Sequence, residues 1–340
     1  MNKIRLAING AGRTGRAAFK IARQNKNIEV VAINNTSGVK MLANLLKYDT
    51  IFGRYQEAIS YNEADKTLMV GQDVIANPGE KEPEKLPWSD LKVDVVLECS
   101  GKFIADGKAV AHIKAGAKQV ILSAPSKGEN EAPAYVIGVN DDQYKGDQII
   151  SNASCTTNCV APVMKIMGEV FGVKKGFMTT VHSYTSDQNL HDNSHKKDMR
   201  RARAAALNII PASTGAAKTT AKTLPELTGK FDGSSFRVPT PTVSISDFNM
   251  LVARTTTIEE VNQAFISAAQ EEKWQNILAV TEDPVVSSDF IGDPHSSTVD
   301  LSLTKVVDGD FVHLVSWYDN EWGYATRLVE LAVKVGKKVK

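Results

Sequence analysis

Cysteine is scarce in this chain, three in 340 residues and odd in number. That argues against a disulfide-stapled scaffold and for a reducing compartment. An excess of one charge is missing too, since 40 Lys and Arg against 39 Asp and Glu leave a formal net charge of +1. The balance gives no electrostatic reason for nucleic acid or membrane to be the main partner. No apolar run approaches the ~20 residues of a membrane-spanning helix. No internal repeat or low-complexity segment interrupts the sequence. What is present, 42% hydrophobic and 23% charged residues, is the composition of an ordinary globular enzyme long enough for two domains. An apolar strand pattern begins at Ile4, so we expect no signal or transit peptide and a cytoplasmic location.

Two segments carry chemistry. The first runs from a short β-rich stretch, Ile4 to Ile8, through Gly10-Ala11-Gly12-Arg13-Thr14-Gly15-Arg16 into a helical pattern at Ala18, Phe19, Ile21 and Ala22. Strand, G-x-G-x-x-G, helix is the setting of a dinucleotide fingerprint. Gly10, Gly12 and Gly15 would serve the turn, the pyrophosphate approach and the helix packing. A second strand follows at Val30–Ile33, and further buried strands are expected at Val93–Leu97 and Val120–Leu122. Ala105–Lys114 reads as a crossover helix, Pro78–Pro87 as a surface loop and Cys99 as core. The pattern predicts a Rossmann-type α/β domain.

The second segment is Ser151-Asn152-Ala153-Ser154-Cys155-Thr156-Thr157-Asn158-Cys159. Apolar residues at Val160, Val163, Met164, Met167, Val170 and Phe171 mark one face of a helix, and Ser154 is a good N-cap. Cys155 then lies in the first turn, where free N–H groups and the helix dipole favour thiolate over thiol. Phe177–Thr185 reads as a strand presenting His182, the base such a nucleophile needs. Cys155, Cys159 and His182 could also be read as metal ligands, but a second ligand pair is missing and no metal is expected. The basic run His195–Arg203 stands alone as surface charge or a nucleic-acid patch. Ser213-Thr214-Gly215 and Phe236–Pro241 add hydroxyls and Arg237, suited to phosphate. Strands are expected at Val243, Ile245 and Met250–Val252, at Leu301–Val306 and at Val312–Trp317, with helices at Ile258–Glu272 and after Tyr318. This half reads as an α+β domain with a mixed or antiparallel sheet. The domain boundaries expected are 1–152 with 318–340 for the dinucleotide, and 153–317 for catalysis.

Over nearly its whole length the chain resembles the phosphorylating glyceraldehyde-3-phosphate dehydrogenases. The segments that carry the likeness are Asn9–Arg16, Leu45–Asp49, Ser151–Cys159, His182–Thr185, Ile209–Pro211, Ser213–Lys218, Phe236–Pro241 and Trp317–Tyr324. The resemblance implies NAD- or NADP-linked oxidation of glyceraldehyde 3-phosphate, with inorganic phosphate, to 1,3-bisphosphoglycerate through a Cys155 thioester, in glycolysis or gluconeogenesis. It implies His182 as base, Thr185 and Arg237 on the substrate phosphate, and Ser154, Thr156, Arg203, Thr214 and Gly215 around the attacking phosphate. Arg13, Thr14, Lys81 and Ser123 would touch the dinucleotide, Asn320 the nicotinamide amide and Tyr324 its ring. A homotetramer is implied, with the loop after His182 reaching a neighbour's cofactor site. The alternatives are erythrose-4-phosphate dehydrogenase and, from the basic run, an RNA-binding protein.

Two departures concern the cofactor. Asn35 stands where a carboxylate normally meets the adenosine ribose of NAD. Removing that charge removes a repulsion of roughly 1–2 kcal/mol toward a 2′-phosphate at ~5 Å, about tenfold in favour of NADP, and Ser37 could donate to the phosphate. Asn193-Ser194 replaces the Leu-Pro of NAD-restricted members, and Lys196-Lys197 is one residue longer than in many relatives. Both departures predict dual or NADP-leaning use, as in the photosynthetic and anabolic branch.

Overall fold

The computed structural model describes residues 3–339. The chain opens with β1 (Ile4–Asn9), α1 (Arg13–Gln24), β2 (Ile28–Asn34) and α2 (Val39–Lys47). A short ribbon, β3 (Tyr48–Asp49) and β4 (Gly53–Arg54), precedes a meander of β5 (Ile59–Asn62), β6 (Thr67–Val70) and β7 (Asp73–Ala76). Then come β8 (Val95–Glu98), α3 (Val110–Lys114), β9 (Gln119–Leu122) and β10 (Ile149–Ser151). Eight strands form one sheet in the order β10-β9-β8-β1-β2-β7-β6-β5. The strands from β10 to β7 run parallel, and β6 and β5 are antiparallel additions at one edge. Parallel strands joined by helical crossovers are covered on both faces. That is why Leu6–Ile8, Val95–Leu97 and Val120–Leu122 are unbroken apolar runs, all buried.

The turn after β1 is fixed by sterics. Gly10 has φ 103, and a Cβ there would stand 2.5 Å from the Ser100 nitrogen. A Cβ on Gly15 would stand 2.0 Å from the Gly10 carbonyl oxygen. Only glycine fits either place.

The crossover helix is shorter than the Ala105–Lys114 expected. Asp106 and Gly107 adopt φ 54 and 69, a left-handed turn that an α-helix cannot contain, so α3 begins at Val110. The loop Pro78–Pro87 is a loop with one turn of 3₁₀-helix at Pro83–Lys85.

The second half holds α4 (Cys155–Phe171), β11 (Val173–Ser183), β12 (Ile210–Ala212), α5 (Ala216–Thr223), β13 (Phe231–Val238) and β14 (Ser244–Val252). It continues through α6 (Ile258–Gln270), β15 (Leu278–Thr281), β16 (Ser297–Asp300), β17 (Lys305–Val307), β18 (Phe311–Tyr318) and α7 (Trp322–Gly336). Seven strands lie in the order β12-β13-β11-β14-β18-β16-β15, and β17 adds to β18. The sheet is mixed: β11 is parallel to β13 and antiparallel to β14. Burial along β14 alternates strictly, the mark of a sheet with one covered face, and α4 lies against β11, β14, β16 and β18. The strand expected at Leu301–Val306 begins later, because Leu301–Leu303 forms a 3₁₀ turn.

Two compact units result. One comprises the chain to Tyr135, Gln143–Ala153 and the chain from Ala325; the other comprises Val136–Asp142 and Ser154–Tyr324. Among the described residues no helix is long and apolar enough to cross a membrane, and no group of His, Cys, Asp and Glu is arranged to hold a metal ion.

Candidate active site

The start of α4 is built as the sequence predicts. Ala153, at φ 57, is held in a left-handed conformation, and the next residue, Ser154, is extended. Ser154 Oγ accepts the Thr157 N–H at 3.0 Å, so it is the N-cap and Cys155 is the first helical residue. Strand β11 delivers the second group. Its residues Gly176–Val181 are clamped between β13 and β14, and its penultimate residue is His182, paired with Arg237 of β13. His182 Nε2 lies 3.5 Å from Cys155 Sγ.

The imidazole tautomer follows from its other nitrogen. His182 Nδ1 is 2.7 Å from the Ser183 carbonyl oxygen, which can only accept, so the proton sits on Nδ1 and Nε2 presents a lone pair to the thiol. Arg237 Nη1 donates to the same carbonyl at 3.2 Å and lies 3.2 Å from Nδ1. Two donors thus face each other, which penalises a second proton on the ring. Burial, then the Arg237 charge, push the His182 pKa down to about 3. Burial also pushes the Cys155 thiol up, against Arg237 and the Thr156 donors. The resting pair is therefore a thiol beside a neutral imidazole. Desolvation thus opposes the pull toward thiolate expected from the helix start.

Tyr318, at the end of β18, supports both groups, and sequence reasoning gave it no role. Its hydroxyl bonds Thr156 Oγ1 at 3.0 Å and Thr180 Oγ1 at 2.8 Å. Its ring meets His182 edge-on, centroids 6.1 Å apart. Cys159 is buried with its thiol raised to about 12, so only Cys155 is available as a nucleophile in α4.

A cluster of arginine and hydroxyl side chains adjoins the pair. Arg237 faces His182 across β13 and β11 and donates to Thr185 Oγ1 at 2.9 Å. The Thr185 hydroxyl in turn donates to Asp187, which pairs with Arg201. Burial opposes ionisation of Asp187, but Thr185, Arg201 and Arg237 outweigh it and hold the carboxyl below its usual range. Gln188 Oε1 accepts the Thr185 N–H at 3.2 Å. Arg237 Nε and Gln188 Nε2 are buried without a hydrogen-bond partner, as donors awaiting an anion would be. Arg201 Nη2 also reaches the Ser213 carbonyl at 3.3 Å, just before Thr214 and Gly215, where α5 starts. Arg203 does not join this cluster; it is exposed and bound to Asp192 at 2.7 Å. Arg201, two residues earlier in the same basic run, is the arginine that meets Asp187 and Ser213 here.

The other expected residues fall as follows. Gly12 is the N-cap of α1 without any side-chain cap, and a Cβ on it would meet nothing within 4 Å. Gly12 therefore leaves room beside the start of α1 for a pyrophosphate to approach the backbone, and the residues fit a dinucleotide. Arg13 binds Asp49 at 2.6 Å and lies over the Phe52 ring, and Thr14 is half-buried beside it. Ser123 donates its N–H to the Glu98 carbonyl, and Cys99 has its thiol raised to about 12 by burial. Asn35 makes only a 3.4 Å contact to the Gly38 carbonyl. Ser37 is exposed and shares a cleft with Lys40, Asn44 and Lys47, and Lys81 is exposed. Ser194 lies in an exposed loop and takes its N–H bond to Asn193. Asn320 is buried, its Oδ1 accepting from Ser183 Oγ at 3.0 Å and Ser244 Oγ at 2.8 Å, which leaves the NH₂ side to serve a ligand. Tyr324 is buried.

A Rossmann-type unit with an open glycine loop and a second unit with a thiol beside a neutral imidazole are the parts of a thiol-dependent, dinucleotide-linked dehydrogenase. Comparison with known proteins narrows the class. Residues 4–106 match the family model described as glyceraldehyde 3-phosphate dehydrogenase, NAD binding domain, and residues 154–320 match its C-terminal domain. The chain is 50% identical over 344 residues to a glyceraldehyde-3-phosphate dehydrogenase of Mycolicibacterium smegmatis, covering 99% of both chains. It is 50% identical over 339 residues to glyceraldehyde-3-phosphate dehydrogenase 2 of Streptomyces avermitilis, again covering 99% of both. With the Geobacillus stearothermophilus enzyme of that name it shares 49% over 337 residues, 98% of this chain and 99% of the relative. The chain belongs to the glyceraldehyde 3-phosphate dehydrogenase family.

Proposed function

We propose that the protein oxidises glyceraldehyde 3-phosphate, with NAD and inorganic phosphate, to 1,3-bisphosphoglycerate. The observation that carries this reading is the 3.5 Å approach of Cys155 Sγ to His182 Nε2 beside the Thr185–Arg237 anion cluster. Cys155 Sγ adds to the aldehyde carbon while its proton passes to His182 Nε2, which returns it to the new oxyanion as a thiohemiacetal forms. His182 takes that hydroxyl proton again as the carbon gives up its hydride, and a thioester remains. The bound dinucleotide supplies the hydride acceptor. Phosphate then attacks the thioester carbonyl, the C–S bond breaks, and Cys155 recovers its proton from His182.

Thr185 and Arg237 would hold the substrate phosphate. Ser154, Thr156, Thr214, Gly215 and Arg201, rather than Arg203, would surround the attacking phosphate. The division of labour belongs to the same proposal: 1–152 with 318–340 for the cofactor, and 153–317 for the chemistry. Steady-state oxidation with and without inorganic phosphate tests it. A rate independent of phosphate, or no turnover of glyceraldehyde 3-phosphate, refutes it.

NADP use alongside NAD is the finer part of the proposal, and with it a place near the NADP-tolerant branch. Residue 35 brings no carboxylate, and the Ser37 hydroxyl shares a cleft with the Lys40 ammonium, a pairing suited to a 2′-phosphate. A homo-oligomer is also proposed. The segment after His182 exposes Leu190 at 72%, Met199 at 91%, Leu207 at 80% and Ile209 at 69%, apolar surface that another copy would cover.

A further inference from the structure

The most unusual polar group outside the reaction centre is Glu98, whose side chain is fully buried at the end of β8. Beside it stands the imidazole of His112, also fully buried. The direction of each hydrogen bond around it is fixed. Trp88 Nε1–H can only donate, and it donates to His112 Nδ1 at 3.0 Å. The ring proton therefore sits on Nε2 and is donated to Glu98 Oε2 at 2.9 Å. Asn9 Nδ2 donates to the same oxygen at 2.5 Å. The Ser100 N–H and hydroxyl donate to Oε1 at 2.8 Å and 2.5 Å. Four donors and no Lys or Arg surround this carboxylate, and the Trp88 and Phe103 rings on His112 keep the imidazole in place.

A buried carboxylate without a cation is costly, so where its donors lead is informative. Asn9 precedes Gly10, and its Oδ1 accepts from Asn34 Nδ2 at 2.8 Å. Asn34 in turn clasps one residue of the neighbouring loop on both sides. Its Nδ2 donates to the Glu80 carbonyl at 2.8 Å, and its Oδ1 accepts the Glu80 N–H at 3.0 Å. Its own carbonyl accepts the Gly10 N–H at 3.0 Å. Ser100, the other donor, is the residue whose nitrogen closes off the space beside Gly10. Both arms end at backbone that borders the cofactor loop: Gly10 on one side, and Asn34, Asn35 and Glu80–Lys81 on the other.

We propose that Glu98 is a positioning residue for the dinucleotide. Through Asn9 and Asn34 it sets the Gly10 turn and the Glu80 loop at the distance the adenosine half requires. The proposal rests on the dinucleotide-binding part of the function above and not on the identity of the aldehyde. It also accounts for a buried anion within a unit that must receive a polyanion. By charge alone the carboxylate would weaken binding, so its contribution lies in the geometry it imposes on amide donors.

The test is NADH affinity by titration calorimetry, together with KM and kcat, for Glu98→Gln and Asn34→Ala in the full-length protein. Glu98→Gln keeps the shape but replaces one accepting oxygen by a donor facing Ser100 or Asn9. It also removes a negative charge, which alone would tighten binding. The expected result is NADH affinity and KM for NAD worse by about tenfold in both variants, with kcat at saturating NAD and KM for the aldehyde within twofold. The double variant should be no worse than the weaker single. A purely structural Glu98 would lower the melting temperature and the fraction of active protein while leaving the cofactor KM unchanged, and that pattern overturns the proposal. If Glu98→Gln does not fold, Asn34→Ala decides alone, and unchanged NADH affinity there refutes it. Wild-type protein that binds NADH but ignores glyceraldehyde 3-phosphate sinks the substrate assignment and leaves this test intact. Wild-type protein that binds no NADH sinks both.

Discussion

His182 turns its unprotonated nitrogen toward Cys155 because the Ser183 carbonyl, 2.7 Å from the opposite ring nitrogen, can only accept a proton. The base is therefore oriented before any ligand arrives. Replacing Cys155 by serine is expected to abolish aldehyde oxidation, a loss of at least about 10³-fold. His182→Asn should slow both turnover and thiol alkylation at pH 7 by about 10²-fold or more, the usual worth of a positioned base. Alkylation rates equal to wild type in His182→Asn would show that the imidazole does not act on the thiol.

The same ring makes stability depend on pH. The His182 pKa in the folded chain is about 3, against 6.5 ordinarily. Between those values the unfolded chain binds a proton that the native chain refuses. Stability thus rises with pH across that window and is lost as pH falls. Asp187, held below its ordinary carboxyl range, acts in the same direction at lower pH. The unfolding free energy should fall from pH 7 to pH 4 by up to about 1.4 kcal/mol per pH unit for the histidine proton, and the melting temperature with it. The fall should be shallower in His182→Asn; parallel curves would contradict the assignment.

Arg201 and Arg203 make a matched pair for testing the phosphate site. Arg201 pairs with Asp187 and reaches Ser213, whereas Arg203 is exposed on Asp192. Arg201→Leu is expected to raise the KM for inorganic phosphate by about tenfold or more, the worth of one charge-assisted bond. Arg203→Leu should change it less than twofold, as an exposed ion pair contributes little. The reverse order would restore the reading made from the sequence.

Cofactor choice can be tested at one atom pair. Asn35→Asp is expected to lower kcat/KM for NADP by about tenfold with little loss for NAD, since the new carboxylate would repel a 2′-phosphate. A strong preference of the wild type for NAD, with NADP turnover indifferent to residue 35, would refute dual use.

Much of this was legible in the sequence. The Ser154 cap, the helix behind Cys155 and the strand carrying His182 follow from local pattern: hydroxyl, 3.6-residue periodicity and a β-rich run. The glycine loop was equally plain. Four features escaped. Arg201 and Arg203 sit in one basic run, and only the fold decides which reaches Ser213. Tyr318 offered no periodic signal beyond ending a strand, because its role depends on Thr156 and Thr180 arriving from distant elements. The desolvation that raises the Cys155 thiol is a third, because a helix terminus can be read locally, whereas burial cannot. The β5–β7 meander is the fourth, since strands of four residues give too short a pattern to stand out.

Ala153 sits at φ 57 immediately before the cap of α4, a posture that costs an alanine about 1 kcal/mol relative to glycine. The peptide that introduces the nucleophile is therefore under tension. Slackening it with a more permissive residue would gain robustness and surrender aim, so thermal hardening of this enzyme is better sought anywhere but at that joint.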